Sequence, residues 1–569
     1  MIFPTTTKEM KTLGWSQCDL IIMTGDAFVD HPSFGTAIIA RVLEKEGFKV
    51  GIIDQPDWKD ASSAMRLGAP RLCFAATAGN IDSMVAHYTV NHKKRSDDAY
   101  SPGGKAGRRP NRATIVYTNL IRAAYKDVPV ILGGIEASLR RMAHYDFWTN
   151  KVRRSILIDS KADLLVYGMG ELPIKEVIHR LDKGENIREI YDVPGTVCRV
   201  PERSEGIELP SFEEIQKDKS AFNLMTQIHY NNRLYPYAKD LYQRHDKQII
   251  RINAPAKAMS TKEMDNIYAL PFSNKPHPKY NETIPAYEQI KDSITAHRGC
   301  FGNCSFCAIT FHQGPRIQSR SQKSIVDQVK SMSKDPDFKG TITDIGGPTA
   351  NMYGIHCKIG GCKDMNCLFP EVCKNLIVKD QDAYVRLLKE ASKVPGVKHV
   401  YIASGLRHDL ALQNEKAMEK MVTTYTGGHL KIAPEHLADN VTRLMNKPPG
   451  KVYLQFLEKF RSFSRRAGKK QYIVPYFISG HPGCTDEDML LLKTQLQKSG
   501  HKLQQAADFY PTPMTIATAM YYTGSHPLTG EKIYVPRTAK EKLKQFGMMM
   551  WHQPAKSGGS KKTKGKAKK

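Results

Sequence analysis

The class of fold is set by one stretch of sequence, HRGCFGNCSFC at residues 297–307. It holds three cysteines with the spacing Cys-x3-Cys-x2-Cys and two glycines that let the loop wrap around a bound group. Soft thiolate ligands suit iron–sulfur clusters or zinc. Three thiolates on a [4Fe-4S] cube leave one iron open to a non-protein ligand, whereas a structural zinc site needs a fourth nearby ligand. The cysteine count therefore favours a cluster with one open iron.

Six units of strand followed by helix surround this loop. Strand-like apolar runs recur at residues 293–296, 341–345, 399–404, 429–433, 472–477 and 506–510, with helical patterns between them. A full barrel of this kind has eight such units. The sequence therefore predicts a partial (β/α)6 barrel over residues 286–515, with a Cys-rich insertion at 351–379. Active sites of these barrels lie at the C-terminal ends of the strands.

A second alternation of strands and helices precedes the barrel. Short apolar runs separated by helical patterns recur within residues 1–195, at 20–23, 50–53, 72–76, 128–132 and 164–167. This order is typical of a doubly wound parallel sheet, so we predict an N-terminal Rossmann-like α/β domain. The glycines that follow its strands, at Gly25, Gly133 and Gly168, lie where such sheets bind ligands.

Three further segments complete the predicted organisation. Residues 196–285 are rich in Pro, Tyr, Asn and charged residues and are predicted to be a connector. Residues 516–554 are predicted to be a C-terminal extension of the barrel. Residues 555–569 are a low-complexity, Lys-rich tail that we predict to be disordered.

The composition is that of a globular chain in a reducing compartment. The 569 residues are 41% hydrophobic and 25% charged, which excludes disorder throughout and fibrous classes. No apolar run approaches the roughly 18 residues of a membrane span, and the first residues carry no secretory signal pattern. We therefore expect a cytoplasmic protein without membrane contact, whose eleven cysteines are reduced.

The net charge points to an anionic partner without identifying it. The formal net charge is +27, and removing the seven lysines of the tail leaves +20 on the rest. A basic surface of this kind attracts polyanions, so RNA or another polyanion is a candidate partner. A loop at residues 91–112 holds seven Lys or Arg, and it is either a phosphate contact or a solvated loop.

The cysteine motif and the barrel together resemble the radical S-adenosylmethionine (SAM) superfamily. There, the triplet follows the first barrel strand and an aromatic residue precedes the third cysteine, here Phe306. The resemblance implies a [4Fe-4S] cluster bound by Cys300, Cys304 and Cys307, with SAM on the fourth iron. It also implies a low-potential electron donor and reductive cleavage of SAM to methionine and a 5′-deoxyadenosyl radical that abstracts hydrogen from the substrate.

Other strand ends are candidates for SAM contacts under this resemblance. The pair Gly346 and Gly347 is similar to the Gly-Gly-Glu turn that holds the amino group of SAM, with Pro348 in place of the acid. The polar candidates after the third and fourth strands are Ser404, Arg407 and Glu435. Each of these three has the alternative of being an ordinary loop cap.

A closer resemblance spans nearly the whole chain. The stretches TANMY (349–353), KIAPEH (431–436), PYFISGHPG (475–483) and MYYTG (520–524) are similar to YgiQ-type radical SAM proteins. That bacterial family has a characteristic N-terminal domain before the barrel. The resemblance implies the class of chemistry and leaves the substrate open.

A second cysteine group lies in the predicted insertion. Cys357, Cys362, Cys367 and Cys373 follow the spacing Cys-x4-Cys-x4-Cys-x5-Cys. Four thiols with glycines between them can bind an auxiliary iron–sulfur cluster or a structural zinc ion. The sequence predicts a second metal site here and leaves the metal open.

The N-terminal domain resembles the cobalamin-binding domains of some radical SAM enzymes. Those domains place a cobalt-ligating His in an Asp-x-His-x-x-Gly pattern. Here the local sequence is DHPSFG at residues 30–35, in which Asp30 directly precedes His31 and the interval to Gly35 is changed. We therefore expect a Rossmann-like domain without cobalamin.

Two functional hypotheses follow from the sequence. The leading one is a cytoplasmic radical SAM enzyme that modifies RNA or a small molecule, with no residue yet assigned to touch the substrate. The alternative is a non-catalytic iron–sulfur or zinc protein that binds nucleic acid. The two differ in one observable, since only the enzyme cleaves SAM.

Overall fold

The computed structural model describes residues 2–500, 502–503 and 506–553. The Lys-rich tail predicted at 555–569 lies outside the described residues. Within them, a nine-stranded sheet is followed by six successive parallel strand positions. The predicted α/β class, with a doubly wound N-terminal unit and a partial barrel, is confirmed.

The strands of the first half form one large sheet and two small ones. They are β1 (Leu20–Thr24), β2 (Val29–Asp30), β3 (Val50–Asp54), β4 (Cys73–Thr77), β5 (Val130–Leu132), β6 (His144–Asp146), β7 (Lys151–Arg153), β8 (Leu164–Val166), β9 (Thr196–Val200), β10 (Ile207–Glu208), β11 (Leu241–His245), β12 (Gln248–Ile252) and β13 (Lys275–Pro276). The order in the large sheet is β10-β11-β12-β9-β8-β5-β4-β1-β3.

The large sheet is parallel from β3 to β8 and antiparallel at β9, β12 and β11. Every residue of β1 is buried because helices cover both faces of the parallel part, which suits its uninterrupted apolar sequence. The segment 196–285, expected as a connector, contributes four strands to this sheet. The domain boundaries given by the sequence remain predictions.

The helices of the first half cover the sheet and lead into the barrel. They are α1 (Thr7–Thr12), α2 (Gly35–Lys45), α3 (Ser83–His87), α4 (Ala113–Ala124), α5 (Gly134–Ser138), α6 (Ile156–Ser160), α7 (Glu171–Asp182), α8 (Phe212–Lys217), α9 (Lys219–Asn231), α10 (Thr261–Tyr268) and α11 (Pro285–Ile290). Short 3-10 segments lie at Ala61–Met65, Pro102–Gly104 and Ile187–Glu189.

The barrel strands pair in the order in which they occur in the chain. They are β14 (Ser293–Thr295), β15 (His297–Arg298), β16 (Gln318–Ser319), β17 (Thr341–Ile342), β18 (Asp344–Gly346), β19 (His399–Val400), β20 (His429–Glu435), β21 (Tyr472–Ser479) and β22 (Ala507–Asp508). Strand β14 pairs with β18, β17 with β19, β20 with β21 and β21 with β22, all in parallel. A single bridge from Leu406 to Ile432 links the third and fourth strand positions.

The barrel helices lie outside these strands. They are α12 (Ile309–Gln313), α13 (Gln322–Met332), α14 (Gln381–Ser392), α15 (His408–Ala411), α16 (Glu415–Thr423), α17 (Asp439–Leu444), α18 (Gly450–Arg466), α19 (Asp486–Lys498), α20 (Ile516–Thr523) and α21 (Ala539–Met549). Two 3-10 segments, Ala350–Met352 and Val378–Asp380, flank the Cys-rich insertion.

The two halves share one core. A single cluster of buried apolar residues includes Met23 and Leu132 of the sheet together with Ile345 and Ile432 of the barrel. Burying apolar area contributes about 25 cal/mol per Å², so a continuous core couples the two halves energetically. No helix among the described residues is long and apolar enough to cross a membrane.

Candidate functional site

The backbone of the cysteine loop requires a glycine at its first turn. Gly299 has φ of +83°, and a Cβ added there would lie 1.9 Å from the Arg316 carbonyl oxygen. The next amide, Cys300 N–H, donates to the Gly314 carbonyl at 3.1 Å. The loop therefore folds back tightly against the chain that follows α12, as the sequence suggested from its glycines.

Three distant segments hold this loop, which we call the triplet loop (residues 300–307). Arg233, just after α9, donates to the Asn303 side-chain oxygen at 2.9 Å. Ser305 N–H donates to the Met445 carbonyl at 3.0 Å, and the Ser305 carbonyl accepts from Ala517 N–H of α20 at 2.9 Å. These bonds fix the positions of the three thiols before any ligand is bound.

The thiols of the triplet loop are held in a partly enclosed, partly polar setting. Burial raises the pKa of Cys300 to about 11, and burial also raises the pKa of Cys307. Gly302 N–H points at Cys300 Sγ at 3.4 Å, and Arg407 Nη1 lies 3.4 Å from Cys304 Sγ. Positive groups near a thiolate stabilise its negative charge. These contacts therefore favour the thiolate form of the cysteines, which is the form that binds an iron–sulfur cluster.

Arg407 is fixed by its neighbour two residues on. Its Nη2 lies 2.6 Å from the Asp409 carboxylate, and both side chains are buried. Burial opposes the charge of Asp409, yet the Arg407 guanidinium holds the pKa of that carboxyl well below its usual range. The structure brings Arg407 to the sulfur of Cys304, whereas the sequence placed it near SAM; a SAM contact stays a prediction.

The Gly346–Gly347 turn is glycine-only for two steric reasons. A Cβ on Gly346 would lie 2.1 Å from the Ser404 hydroxyl, and a Cβ on Gly347 would lie 2.7 Å from the His297 ring. Ser404 donates to the Asp344 carboxylate at 3.2 Å. Of the predicted SAM residues, Gly346, Gly347 and Ser404 thus meet at the ends of the second and third strand positions.

His297 is a residue that the sequence analysis did not single out. It is fully buried against Gly347, and neither ring nitrogen makes a hydrogen bond of good geometry. Burial lowers its pKa to about 4, so the ring is neutral at pH 7. The Thr349 backbone lies within reach of the ring but partners it only weakly, and the only sequence signal of His297 is its place directly before the cysteine motif.

Glu435 is the polar residue best prepared for a ligand. It is 7% exposed, its Oε2 has no hydrogen-bond partner among the described residues, and its φ of +67° is left-handed. Lys447 Nζ lies 3.7 Å from Glu435 Oε1 and donates to the Ala433 carbonyl at 2.6 Å. Burial raises the pKa of Glu435. A strained backbone that aims a buried carboxylate is typical of a functional position.

Phe306 closes one side of the triplet loop. Its ring meets the ring of His481 edge-on, with 6.0 Å between centroids. His481 follows β21, so the aromatic residue before the third cysteine connects the loop to the fifth strand end. The predicted role of Phe306 beside SAM stays a prediction.

A cavity of about 770 Å³, which we call the interdomain cavity, lies between the two halves. The strand ends of the large sheet form one wall, including Gly133 and Gly168, which the sequence marked as ligand-binding turns. The barrel side includes His297, Gly346 and Gly347. Its size lies within the range of about 300–1,000 Å³ for small-molecule and cofactor sites.

His31 does not line this cavity. It is 2% exposed, its Nδ1 accepts Ser33 N–H at 3.1 Å, and burial lowers its pKa to about 4. Its neighbours Pro32 and Ser33 are the residues that face the cavity. The His that the sequence compared with a cobalt ligand therefore serves the local turn.

The four cysteines of the insertion, which we call the quartet, lie close together. Cys373 N–H donates to the Cys367 carbonyl at 2.9 Å, and Cys357 forms a β-bridge with Leu376. Burial, followed by the charges of the other three thiols, raises the pKa of Cys367 to about 12. All four are partly exposed and free of disulfides.

One small apolar cluster separates the quartet from the triplet loop. Its buried members are Phe301, Met352, Ile355, Leu368, Leu376 and Leu410. Cys300 packs against it from the triplet loop, and Cys367 and Cys373 pack against it from the quartet. Among the described residues, no three His, Cys, Asp or Glu side chains converge as a single metal ion requires.

Family models match successive parts of the chain. The model described as Radical SAM N-terminal matches residues 2–293, and the Radical SAM superfamily model matches residues 294–494. A domain of unknown function, DUF3362, matches residues 504–557. The fold, the triplet loop and these matches define a radical SAM enzyme, as the leading hypothesis predicted.

Relatives of known sequence give the particular family. A UPF0313 protein of Methanocella arvoryzae is 51% identical over 556 residues, which cover 96% of this chain and 93% of the relative. A UPF0313 protein of Geobacter sulfurreducens is 48% identical over 563 residues, which cover 97% of this chain and 92% of the relative. The chain belongs to the UPF0313 family, and the predicted resemblance to radical SAM proteins of the YgiQ type is confirmed.

Solved structures of the methyltransferase TsrM from Kitasatospora setae share the fold. One, with cobalamin and a [4Fe-4S] cluster bound, matches at a TM-score of 0.50 and 14% identity, covering 88% of this chain and 77% of that chain. Another, with tryptophan substrate and a SAM analog, matches at a TM-score of 0.51 and 14% identity, covering 88% of this chain and 75% of that chain. At this identity the likeness concerns the fold.

This likeness contradicts the expectation of a domain without cobalamin. The same two-part architecture holds cobalamin in TsrM. The expectation was wrong because it rested on the spacing around His31, a residue that does not line the interdomain cavity. The cavity is instead formed by strand ends and glycine turns, and the spacing of one histidine carries no information about its shape.

Proposed function

We propose that this chain binds a [4Fe-4S] cluster through Cys300, Cys304 and Cys307 and uses it to cleave SAM reductively, for modification of a substrate at the strand ends of the barrel. The supporting observation is the triplet loop, which offers three thiols, anchored from three sides, at the strand ends of the barrel. When bound, the cluster supplies one electron to the sulfonium of SAM, which yields methionine and a 5′-deoxyadenosyl radical.

Arg407 is the residue that adjusts the charge of the triplet loop. Its guanidinium lies 3.4 Å from Cys304 Sγ and is held there by Asp409. A fixed cation beside a cysteine ligand favours the thiolate and eases the addition of an electron to a negatively charged cluster. The buried setting strengthens this interaction, since little water screens it.

Glu435 and His297 are the groups we assign to orient SAM. The free Oε2 of Glu435 can accept a hydrogen bond from a ligand at the end of the fourth strand position. The neutral ring of His297, packed on Gly347, can accept one from the SAM amino group, in the role of the acid that Pro348 replaces. Each contact satisfies a buried polar atom, Glu435 Oε2 or a His297 ring nitrogen, that has no hydrogen-bond partner of good geometry among the described residues.

The test of the proposal is formation of 5′-deoxyadenosine by the full chain, reconstituted anaerobically and supplied with SAM and dithionite. The wild type is expected to form it, and the Cys300→Ala/Cys304→Ala/Cys307→Ala variant is not. Cys198→Ala is the matched control, since it removes a buried thiol from β9. If iron is loaded and the wild type forms no product, even with cell extract as a substrate source, the proposal is wrong.

We further propose that the interdomain cavity takes a corrinoid. The supporting observations are its volume of about 770 Å³, its lining of apolar and glycine residues, and its place between the sheet and the barrel. Backbone turns at Gly133 and Gly168 allow a flat macrocycle to approach the strand ends closely. The lining residues on the sheet side hold the group by shape and contact.

Binding of a corrinoid is tested by visible absorbance, a measurement that does not depend on catalytic turnover. The chain is incubated with hydroxocobalamin, desalted, and its visible spectrum is recorded. Thr36→Trp places an indole at the cavity wall and is expected to reduce the bound corrinoid at least about 10-fold, whereas Thr36→Val is expected to retain it. Equal retention by both variants, or none by the wild type, contradicts the proposal.

For the quartet, we propose a second iron–sulfur cluster. The quartet offers four thiols free of disulfides, which is the number that a fully ligated iron–sulfur cluster takes. The shared apolar cluster places this site directly behind Cys300, so it is positioned to pass an electron inward from a low-potential donor.

RNA remains a substrate hypothesis that rests on the net charge of +27. The basic loop at residues 91–112 adds less to it than its seven cations suggest, because three of them are paired with carboxylates of the protein. Arg109 contacts Asp26 and Asp98, Arg112 contacts Asp146, and Lys105 contacts Glu282. Binding that weakens steeply as salt is raised would support RNA as the substrate.

A further inference from the structure

A pocket without any acidic residue opens beside the interdomain cavity. Its volume is about 90 Å³, room for a group of several heavy atoms. Its cationic lining residues are Arg141, Arg233, Arg316 and Lys257, and none of its lining residues is Asp or Glu. We call this the arginine pocket. A space lined by several cations and no carboxylate has a strongly positive potential.

Arg141 is buried without a counter-charge. It is 4% exposed, and its side-chain nitrogens donate to the Ser138 carbonyl at 2.6 Å, to His229 Nε2 at 2.7 Å and to the Met514 sulfur at 3.2 Å. Its guanidinium carbon lies 4.4 Å from the centre of the Tyr167 ring, and its Nε has no hydrogen-bond partner. Burial lowers its pKa to about 10 and the pKa of His229 well below 6.5, so the ring of His229 accepts and adds no charge.

Arg233 also lines the pocket and is likewise buried without a carboxylate partner among the described residues. It is 6% exposed, stacks on Tyr230 with 3.5 Å between its guanidinium carbon and the ring centre, and leaves its Nε without a hydrogen-bond partner. Its Nη2 donates to the Asn303 side chain of the triplet loop at 2.9 Å. Two buried guanidinium groups therefore face one pocket, each with an unused donor.

Each of the other buried arginines has either a carboxylate partner or an acceptor for all of its guanidinium nitrogens. Among the described residues, those with a carboxylate partner are Arg41 (Asp30), Arg109 (Asp26), Arg140 (Asp82), Arg298 (Glu171) and Arg407 (Asp409). Arg320 has no carboxylate, but its Nε, Nη1 and Nη2 all donate to oxygens. Arg141 and Arg233 alone combine a missing counter-charge with an unused donor, and they share a pocket.

Burying an unpaired charge costs several kcal/mol unless an opposite charge and hydrogen bonds compensate it. We propose that the arginine pocket binds an oxyanion of the substrate, a phosphate or carboxylate group held by Arg141 and Arg233. Guanidinium groups suit such planar or tetrahedral anions because each presents several fixed donors. The assignment deepens the proposed function and rests on it for the statement that the anion belongs to the substrate.

The arrangement places the anion close to the chemistry. Gly168, Met169, His312 and Gln313 line both the arginine pocket and the interdomain cavity, so the two spaces adjoin. Arg233 also contacts the triplet loop through Asn303. A substrate anchored by its anionic end in the arginine pocket thus reaches toward the triplet loop at the barrel mouth.

Binding is tested by calorimetry on the full reconstituted chain, with inorganic phosphate in one arm and succinate in the other, against chloride at equal ionic strength. Arg141→Gln and Arg233→Gln are each expected to weaken binding of the preferred anion at least about 10-fold. The matched control is Arg199→Gln, remote from the pocket, whose contacts are the Ala162 and Leu157 carbonyls and Gln248. The arm that binds more tightly identifies the phosphate or carboxylate.

Two outcomes overturn the proposal. One is an absence of binding of both anions to the wild type, and the other is equal affinity in the wild type and both pocket variants. If a variant does not fold, the wild type still gives a result, because phosphate or succinate must raise its melting temperature above the value in chloride. Neither measurement needs SAM cleavage, so failure here is distinguishable from failure of the proposed catalytic activity.

Discussion

The triplet loop and the quartet are both cysteine sites, but the protein surrounds them in different ways. The triplet loop is tied by hydrogen bonds to three distant segments, and a buried cation, Arg407, touches one of its thiols. The quartet is held by bonds within its own segment and rests on an apolar cluster. A site with an open coordination position needs polar groups aimed at the incoming ligand, whereas a site whose metal is fully ligated needs only support.

The strongest way to separate the two sites is to delete each set of thiols. The wild type is expected to hold about eight irons, and each deletion about four. Deleting Cys300, Cys304 and Cys307 removes SAM cleavage, while Cys357→Ala/Cys362→Ala/Cys367→Ala/Cys373→Ala leaves it within about 10-fold when dithionite is the reductant. Iron, sulfide and zinc analysis beside 5′-deoxyadenosine formation measures both. Zinc in place of the second four irons would refute a cluster at the quartet.

Removal of the Arg407 cation beside the triplet loop is expected to have the second-largest effect. Arg407→Gln leaves the buried Asp409 carboxylate unpaired, which is expected to cost about 3–5 kcal/mol of unfolding free energy. Arg407→Leu/Asp409→Leu is expected to recover most of that stability, yet both variants should shift the reduction potential of the triplet cluster to more negative values. Denaturant unfolding and redox titration followed by electron paramagnetic resonance give the two readouts. An unchanged potential in both variants would show that Arg407 is only structural.

A smaller effect is expected at Glu435, the buried carboxylate at the end of the fourth strand position whose Oε2 has no hydrogen-bond partner among the described residues. Glu435→Gln replaces one carboxylate oxygen by an amide, so the KM for SAM is expected to rise about 10-fold with kcat nearly unchanged. Glu458→Gln, at an exposed position of α18, is the matched control. A fall in kcat with an unchanged KM would assign Glu435 a role other than binding SAM.

The smallest effect concerns pH. Burial lowers the pKa values of His297, in β15, and of His436, directly after β20, to about 4. An unfolded histidine takes up a proton near pH 6.5, so between about pH 6.5 and 4 the unfolded state binds more protons than the folded state. The free energy of unfolding therefore decreases as the pH is lowered through this range. His436→Gln is expected to flatten this slope by up to about 1.4 kcal/mol per pH unit. Urea unfolding at pH 7.5 and 5.5 measures it.

Features that depend on residues close together in the chain could be predicted from the sequence. The triplet spacing, the apolar strand runs and the glycine turns at Gly133 and Gly168 all predicted where structure and cavity lie. The sequence of residues 211–232 reads as one continuous helical pattern, but the structure divides it into α8 and α9, because the side chain of Asp218 caps the start of the second. Local patterns thus give elements and their order, with errors at caps.

Features that require residues far apart in the chain to meet could not be predicted from the sequence. Arg141 and Arg233 are far apart in the chain and belong to no motif, so only their shared pocket reveals them. Arg407 illustrates a related limit, since its place after the third strand suggested a ligand contact while its side chain turns to Cys304. The direction of a side chain is decided by packing and pairing that a lone sequence does not contain.

The contact between Ser305 and Ala517 imposes an order on assembly. Ala517 follows Ser305 by 212 residues, so at about 5–20 residues per second a ribosome needs about 10 to 40 s to go from one to the other. During that interval α20 does not yet exist, and the far side of the triplet loop is uncovered. For the cluster proposed at the triplet loop, this order would leave a window during synthesis for delivery of iron and sulfide, which would end when α20 docks.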